Sequence, residues 1–389
     1  MKKVCILGAS GSIGTQTIDV MLKNPNDFTL VGFSVGRRTR VISSILKHYP
    51  EVKHVCVGFK NKMKYYQEKY PEINFSYGDS GIIELIDNCE PDMVVNSLVG
   101  FVGLNPTLHT LEKNLILCLA NKESLVVGGE LVNKLLDEGH GKLYPIDSEH
   151  VALSKCLSVD NKNVDKLVLT ASGGAFRNLS REELKDVTPE DALKHPNWKM
   201  GKKITIDCAT MVNKSFEVIE AHYLFRYPFN KIGIKLHDES MIHSYVVYKD
   251  GMMRLDEGKP DMRVPIKYAL YEGLTDFETV TSDDLSKFPK YHFHEFDINR
   301  YPMVKYAEVV IKKKGTYGAA FNASNEVAVD AFLNHRISFL DIEDIINIVM
   351  KSHKNTANPS YSEICLADFL SRIKASELVK EKEEKLCKC

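Results

Sequence analysis

Short apolar runs recur along the first 150 residues, and helical or loop sequence separates them. They fall at 4–7, 29–35, 54–57, 92–96, 115–120 and 143–146. This alternation predicts a doubly wound, mostly parallel sheet. Beyond residue 150 the pattern changes. Strand-like runs at 166–170, 232–236 and 241–248 predict an α+β region, and helical periodicity at 319–333 and 339–350 predicts a helical C-terminal region.

These changes of pattern predict four segments. An α/β domain covers 1–146, and an α+β domain covers 147–272. A linker covers 273–300, because this stretch is irregular and rich in charged and aromatic residues. A helical domain covers 301–389.

The balance of charged residues indicates which kind of binding partner to expect. The 389 residues include 51 basic and 52 acidic side chains, so there is no global field to attract nucleic acid or an anionic membrane. A small-molecule partner is therefore expected. Most of the nine cysteines lie singly in apolar runs, which favours a reducing compartment. No secretory signal and no membrane-spanning stretch is visible, so we expect a cytoplasmic protein.

A glycine-rich turn follows the first predicted strand, with the spacing Gly8-x-x-Gly11-x-x-Gly14. Small residues here let backbone N–H groups approach a pyrophosphate at a helix N-terminus. The alternative is a purely structural turn. Arg37 and Arg38 follow the second strand, where two guanidinium groups suit a 2′-phosphate and hence NADP, although a solvated basic turn is the alternative.

The tetrapeptide Asp147-Ser-Glu-His150 follows the last apolar run of the first domain. In an extended stretch alternate side chains point the same way, so Asp147 and Glu149 are expected to present two carboxylates to one point. That is half of a site for a hard metal ion. By itself, such a pair is more often a solvated acidic turn.

A second segment, 204–217, changes this balance. Its pattern predicts a short strand that runs into a helix, and on that helix Asn213 and Glu217 are four residues apart and share a face, with Lys214 beside them. A third carboxylate, a cation and an amide on one face suit a site that holds both a divalent ion and a phosphate.

Three further loops are candidates for ligand binding. Lys122 follows a predicted strand and could face cofactor or substrate, although a lysine there is more often plain surface. The loop Ser172-Gly173-Gly174 could cradle phosphate, and a simple turn is its alternative. Trp198 lies in a loop bounded by proline and glycine, which favours a mobile cover over the ligand rather than a local apolar patch.

Taken together, these motifs resemble one family, 1-deoxy-D-xylulose 5-phosphate reductoisomerase, over nearly the full chain. The matching stretches are Gly8-Ala-Ser-Gly-Ser-Ile-Gly14, Leu119-Ala-Asn-Lys-Glu-Ser-Leu-Val126, Asp147-Ser-Glu-His150, Ser172-Gly-Gly174, His195-Pro-Asn-Trp198 with Met200-Gly201, Ala209-Thr-Met211 with Asn213-Lys214, Pro260-Asp-Met-Arg263 and Asn322-Ala-Ser-Asn-Glu-Val-Ala328. Their order and length make the match more specific than any single motif.

The resemblance implies an α/β protein with an N-terminal Rossmann-like domain that binds NADPH, a central catalytic domain and a C-terminal helical domain, usually in a homodimer. It implies rearrangement and NADPH-dependent reduction of 1-deoxy-D-xylulose 5-phosphate to 2-C-methyl-D-erythritol 4-phosphate, in the non-mevalonate route to isoprenoids. A retro-aldol/aldol path and a direct ketol shift are both compatible with the residues.

The resemblance also implies residue roles. The ligands of Mg²⁺ or Mn²⁺ are Asp147, Glu149 and Glu217, and the catalytic residues are Lys122, Glu149 and His195. The substrate contacts are Ser148, Glu149, Ser172, His195, Cys208, Asn213, Lys214 and Glu217. Trp198 and Met200 belong to the flap. The cofactor positions are Ser10, Gly11, Ser12, Ile13, Gly36, Arg37, Arg38, Asn121, Glu123 and Gly201.

Two departures from the family pattern stand out. Cys208 lies where serine is expected, and its S–H is a weak donor. Asp238 and Glu239 are acidic where many relatives are not, and we assign them no role. Two alternatives to the implied activity remain: a metal-free NADP dehydrogenase of a phosphorylated aldehyde, and a redox sensor that binds NADPH without turnover.

Overall fold

The structure, a computed structural model, describes residues 1–198, 200–274 and 290–386. It divides into two compact units. The first contains residues 1–125, 131–147 and 261–273, and the second contains 126–130, 148–260 and the residues described beyond 273. The four predicted segments stay a prediction, and the structure groups the chain differently by placing 261–273 in the first unit.

Twelve strands and fifteen α-helices are found in the described ranges. The strands are β1 Lys2–Leu7, β2 Phe28–Val35, β3 His54–Val57, β4 Asn74–Tyr77, β5 Met93–Asn96, β6 Ile116–Leu119, β7 Lys142–Pro145, β8 Val164–Ala171, β9 Ile232–His237, β10 Ile242–Tyr248, β11 Met253–Glu257 and β12 Phe293–Glu295. The helices are α1 Ser12–Lys23, α2 Ile42–His48, α3 Lys60–Lys69, α4 Gly78–Cys89, α5 Leu104–Glu112, α6 Glu123–Asp137, α7 Ser148–Val159, α8 Pro189–Ala192, α9 Lys202–Thr210, α10 Val212–Phe225, α11 Arg263–Leu270, α12 Lys305–Lys313, α13 Tyr317–Leu333, α14 Phe339–Ser352 and α15 Tyr361–Leu386.

The first unit is built on a seven-stranded sheet in the order β4-β3-β2-β1-β5-β6-β7. All neighbouring strands are parallel. This confirms the predicted doubly wound sheet. The strand order reverses between β1 and β5, and ligands of such sheets bind at the carboxyl ends of the strands at this switch point. Val4, Ile6 and Val95 are fully buried there, which explains why the central strands are continuous apolar runs.

The second unit contains a five-stranded sheet in the order β11-β10-β8-β9-β12. Strands β8 and β9 are parallel, and the other neighbours are antiparallel. The β10–β11 hairpin turns at Gly251, whose φ is 86°. Strand β12 lies within the segment predicted to be a linker and pairs with β9. Helices α12 to α15 confirm the helical C-terminal region.

One predicted element is wrong. The strand expected at the start of 204–217 is a helix, α9, and a second helix, α10, follows it directly. The two are separated by Met211, a non-glycine residue with φ 62° and ψ 14° in the left-handed region. We refer to this break as the Met211 elbow.

None of the helices in the described ranges has both the length and the apolar character needed to cross a lipid bilayer.

Candidate active site

Two carboxylates from distant parts of the second unit come together. Glu149 lies in the first turn of α7, and Glu217 is in α10. Each offers a carboxylate oxygen, and these oxygens lie within 4.8 Å of each other. The expected extended conformation of 147–150 is wrong, because α7 begins at Ser148. The first turn of α7 nevertheless presents Glu149 to Glu217, and the role of Asp147, which directly precedes α7, as a third ligand stays a prediction. An all-oxygen donor set of this size fits a hard divalent ion such as Mg²⁺ or Mn²⁺.

A buried lysine holds two of these acids. Lys214 Nζ lies 2.8 Å from Glu149 Oε1 and also pairs with Glu217. Burial alone would lower the pKa of Lys214, but the two carboxylates raise it above its ordinary value. On the same face the Asn213 amide donates to Glu217, as the four-residue spacing predicted. Cation, amide and carboxylates therefore form one connected polar group.

The glycine-rich loop after β8 packs closely on α9. Gly174 has φ 69°, and a Cβ there would lie 2.7 Å from Ala209 Cα and 2.8 Å from the carbonyl oxygen of Cys208. Only glycine allows this approach. The loop and the end of α9 thus present Ser172 and the half-buried Cys208 in one region of the second unit.

The hydrogen bonds of His195 define its tautomer. Its Nδ1 accepts from the backbone N–H groups of Asn197 (3.2 Å) and Trp198 (3.0 Å), so the ring proton is on Nε2, which donates to Ser172 Oγ at 3.0 Å. Burial, and then the charge of Arg177, lower the pKa of His195 to about 4, which keeps it neutral at pH 7. Ser172 Oγ also accepts from Gly174 N at 3.3 Å, so its own proton remains available to a ligand.

The predicted flap is tied to the loop after β9. Asn197 Nδ2 donates to the carbonyl oxygen of Asp238 at 2.9 Å and to Ser240 Oγ at 2.7 Å. The Trp198 ring lies 6.1 Å from that of His243. Met200 is half-buried, and Lys199 lies outside the described residues. The cover function of this segment stays a prediction.

The predicted cofactor positions of the first unit lie after β1 and β2, which are neighbours. Residues Ser10 to Ile13 surround the start of α1, whose N-terminus is not capped by a side chain. A Cβ at Gly14 would lie 2.4 Å from the carbonyl oxygen of Gly8, so the turn requires glycine there. Gly36, Arg37 and Arg38 are exposed directly after β2. Gly201, by contrast, is in the second unit, at the N-cap of α9.

Residues after β6 are more buried than a surface turn would be. Lys122 is 7% exposed and pairs with Asp147, which follows the neighbouring strand β7. The Asn121 amide donates to the carbonyl oxygens of Leu98 (2.9 Å) and Gly100 (3.0 Å) and to Glu123 (3.1 Å). Its side chain therefore holds the 98–100 loop in place, and contact of Asn121 with a cofactor stays a prediction.

The sequence interpretation missed a buried pair of an acid and a histidine, Glu220 and His150. His150 Nε2 lies 2.9 Å from the carbonyl oxygen of Glu217, and Nδ1 lies 3.3 Å from Glu220 Oε2. Both side chains are at most 1% exposed. The three-residue spacing of Glu217 and Glu220 was the signal that could have indicated this pair.

An α/β unit of the nucleotide-binding type and a buried carboxylate cluster define a class of protein, the metal-dependent nucleotide-linked enzymes. Three family models are more specific. The model for 1-deoxy-D-xylulose 5-phosphate reductoisomerase matches residues 4–129, and two models for C-terminal domains of the same family match 143–225 and 258–374. The chain belongs to the 1-deoxy-D-xylulose 5-phosphate reductoisomerase family.

Relatives and solved structures agree. The chain is 43% identical over 375 residues to 1-deoxy-D-xylulose 5-phosphate reductoisomerase 2 of Bacillus thuringiensis subsp. konkukian, which covers 96% of this chain and 98% of the relative. It is 43% identical over 370 residues to the Macrococcus caseolyticus reductoisomerase, covering 95% and 97%.

Two solved structures are similar over almost their whole length. A DOX-P reductoisomerase in complex with NADPH, fosmidomycin and magnesium superposes with a TM-score of 0.90 at 30% identity, covering 98% of each chain. The Zymomonas mobilis reductoisomerase in complex with NADPH gives 0.86 at 34% identity, covering 97% of this chain and 99% of that one.

Proposed function

We propose that this chain catalyses the NADPH- and divalent-metal-dependent conversion of 1-deoxy-D-xylulose 5-phosphate to 2-C-methyl-D-erythritol 4-phosphate. The reaction follows from the family to which the chain belongs. The assignment of roles to residues is supported by the geometry. The first unit contains most of the residues assigned to the nucleotide, and the second contains most of those assigned to substrate and metal. The observation that carries this proposal is the meeting of Glu149 and Glu217 at the buried Lys214, with carboxylate oxygens of the two acids within 4.8 Å of each other.

Asp147, Glu149 and Glu217 hold the ion. When bound, it supplies a Lewis acid for the ketol oxygens of the substrate, and NADPH supplies hydride. Lys214 balances the charge of Glu149 and Glu217 and lies next to Asn213 at the start of α10, which supports a role for both Lys214 and Asn213 in binding the substrate phosphate.

Ser172 and His195 act as a donor pair. Because neutral His195 donates Nε2–H to Ser172 Oγ, the hydroxyl keeps its own proton to donate to the substrate phosphate. Cys208 contributes only a weak donor beside them. Phosphate binding remote from the reacting carbons can then position them and help to close the segment that contains Trp198 and Met200.

The remaining cofactor roles rest on placement at strand ends. The N–H groups at Ser10 to Ile13 receive the pyrophosphate, and Arg37 with Arg38 receives the 2′-phosphate. A homodimer in the cytoplasm is the expected setting. The buried, reduced thiols of Cys5, Cys118 and Cys156 support a reducing compartment.

The alternative of a metal-free NADP dehydrogenase is not supported by the comparisons. It also gives no reason for Glu149 and Glu217 to meet at the buried Lys214. The two readings differ in a simple test, because activity of a metal-free dehydrogenase persists in EDTA.

The decisive experiment follows NADPH oxidation on addition of 1-deoxy-D-xylulose 5-phosphate, with and without Mg²⁺ or Mn²⁺. We expect turnover only with metal. Glu149→Gln and Glu217→Gln should lose the rate while the affinity for NADPH is kept, because the nucleotide lies in the first unit. Glu182→Gln, which changes an exposed acid of the second unit, is the control and should behave as the parent. Metal-independent turnover would refute the proposal.

A further inference from the structure

One of the matching motifs, Asn322 to Ala328, has no role in the site so far. It lies in α13, and its residue Asn325 is fully buried. The Nδ2 of Asn325 donates to Asp207 Oδ1 at 2.8 Å. Asp207 is in α9, directly before Cys208, and is only 2% exposed. The motif therefore contacts the helix that leads into the Met211 elbow.

The contact is part of a buried network that joins both helices of the elbow. Lys203, one turn earlier in α9, donates to Asp207 Oδ2 at 2.8 Å, and its Nζ lies 5.4 Å from the centre of the Phe216 ring in α10. Phe216 in turn packs edge-on against Phe321 of α13, with ring centres 5.2 Å apart. Helix α13 thus contacts α9 through Asn325 and α10 through Phe321, one helical turn apart.

The hydrogen bond between Asn325 and Asp207 comes with an unfavourable feature. Asn325 Oδ1 is buried without a hydrogen-bond partner among the residues that the structure describes. A residue that served packing alone would be apolar, since an unsatisfied buried amide is unfavourable. The Asn325 amide donates a directional hydrogen bond to Asp207, which an apolar residue could not do. Such a bond favours one position of α13 relative to α9.

We propose that Asn325 is a positioning residue for the substrate phosphate site. By holding Asp207, it fixes α9 against α13, and so sets where Cys208 and the elbow place Asn213 and Lys214. This inference rests on the proposed function, because it assigns these residues to phosphate. The hydrogen bond of Asn325 goes to Asp207, which is assigned neither to the metal nor to the nucleotide.

A matched control lies on the same helix. Asn322 is also fully buried and also has an Oδ1 without a hydrogen-bond partner in the described ranges, but its Nδ2 donates at 2.9 Å to Glu326 of its own helix. Asn325→Leu and Asn322→Leu therefore remove comparable amides, and only the first removes a bond to α9.

The test measures sugar phosphate binding by calorimetry, with Mn²⁺ and without NADPH, together with KM for both substrates. Asn325→Leu should weaken sugar phosphate binding roughly tenfold, the effect of one lost hydrogen bond to a charged group, and should change KM for NADPH much less, because Gly201 at the N-cap is the one cofactor position assigned to α9. Asn322→Leu should leave both unchanged, even where it lowers the melting temperature.

An exchange of the two partners provides the rescue. Asn325→Asp alone places two carboxylates together, whereas Asp207→Asn combined with Asn325→Asp restores an amide–carboxylate bond. The double variant should bind sugar phosphate more tightly than Asn325→Asp. The inference is overturned if Asn325→Leu lowers only the melting temperature, or if Asn322→Leu weakens binding equally. A parent chain that binds the sugar phosphate without turnover refutes the proposed function instead, and the variants still decide the positioning role.

Discussion

The close approach of Gly174 to α9 gives a quantitative test of the phosphate region. In Gly174→Ala the new Cβ would lie 2.7 Å from Ala209 Cα, and the backbone would keep a φ of 69°. The left-handed conformation costs about 1–2 kcal/mol for a residue with a Cβ. Overpacking against backbone adds about 1–3 kcal/mol. We therefore expect a total loss of about 2–5 kcal/mol.

Gly251 is the control for strain alone. Its φ is 86°, but a Cβ there would have no heavy atom within 4 Å. Gly251→Ala should therefore lose only about 1–2 kcal/mol. It lies at the tip of the β10–β11 hairpin, outside the residues assigned to the site, so its kinetic constants should match those of the parent.

The assay combines thermal unfolding with steady-state kinetics. If α9 moves to accommodate Gly174→Ala, Cys208 and the elbow move with it, and kcat/KM for the sugar phosphate should fall by about 10²-fold for a displacement near 1 Å. KM for NADPH should change much less, because Gly201 at the N-cap is the one cofactor position assigned to α9. Equal stability losses in Gly174→Ala and Gly251→Ala would refute the close packing of Gly174 on α9. An unchanged kcat/KM for Gly174→Ala would refute the link between this packing and phosphate binding.

Three further predictions concern single side chains. Cys208→Ser should keep activity and lower KM for the sugar phosphate, because a hydroxyl is a better donor than a thiol; a higher KM would show that this position does not donate to phosphate. Arg37→Ala and Arg38→Ala should raise KM for NADPH more than KM for NADH, since only NADPH has the 2′-phosphate, and equal effects would contradict the assignment. The pKa of His195 falls from its ordinary 6.5 to about 4 on folding, so stability should decline as pH falls between these values. Melting temperatures measured across that range should decline less steeply in His195→Asn than in the parent, and identical slopes would contradict the burial of a neutral imidazole.

The parallel sheet could be predicted because its central strands are buried on both faces and are therefore continuous apolar runs. The edge strand β4 was missed for the same physical reason. Its sequence, Asn-Phe-Ser-Tyr, alternates and has exposed residues at both ends, so no apolar run marks it. The alternating and half-exposed pattern of this short strand thus removed the signal on which the prediction depended.

Helix α9 was mistaken for a strand because Ile204, Thr205 and Ile206 are β-branched. Its conformation is supported by contacts that local sequence does not show. Asp207 binds Asn325, 118 positions away, and Ile206 is fully buried. Tertiary packing overrides local propensity here.

The ion pairs of the acidic residues could not be predicted from the sequence. Spacing alone indicated that Asn213 and Glu217 share a helical face, but not that Lys214 reaches Glu149, 65 positions away, or that Lys122 pairs with Asp147. Glu149 and Glu217 repel each other at this separation, and the buried Lys214 offsets that repulsion. Lys214 therefore supports the arrangement of these two proposed ion ligands. A Glu149→Gln change removes a partner of Lys214 as well as a proposed ligand, so retained NADPH affinity is the measurement that separates loss of the ion from disruption of the fold.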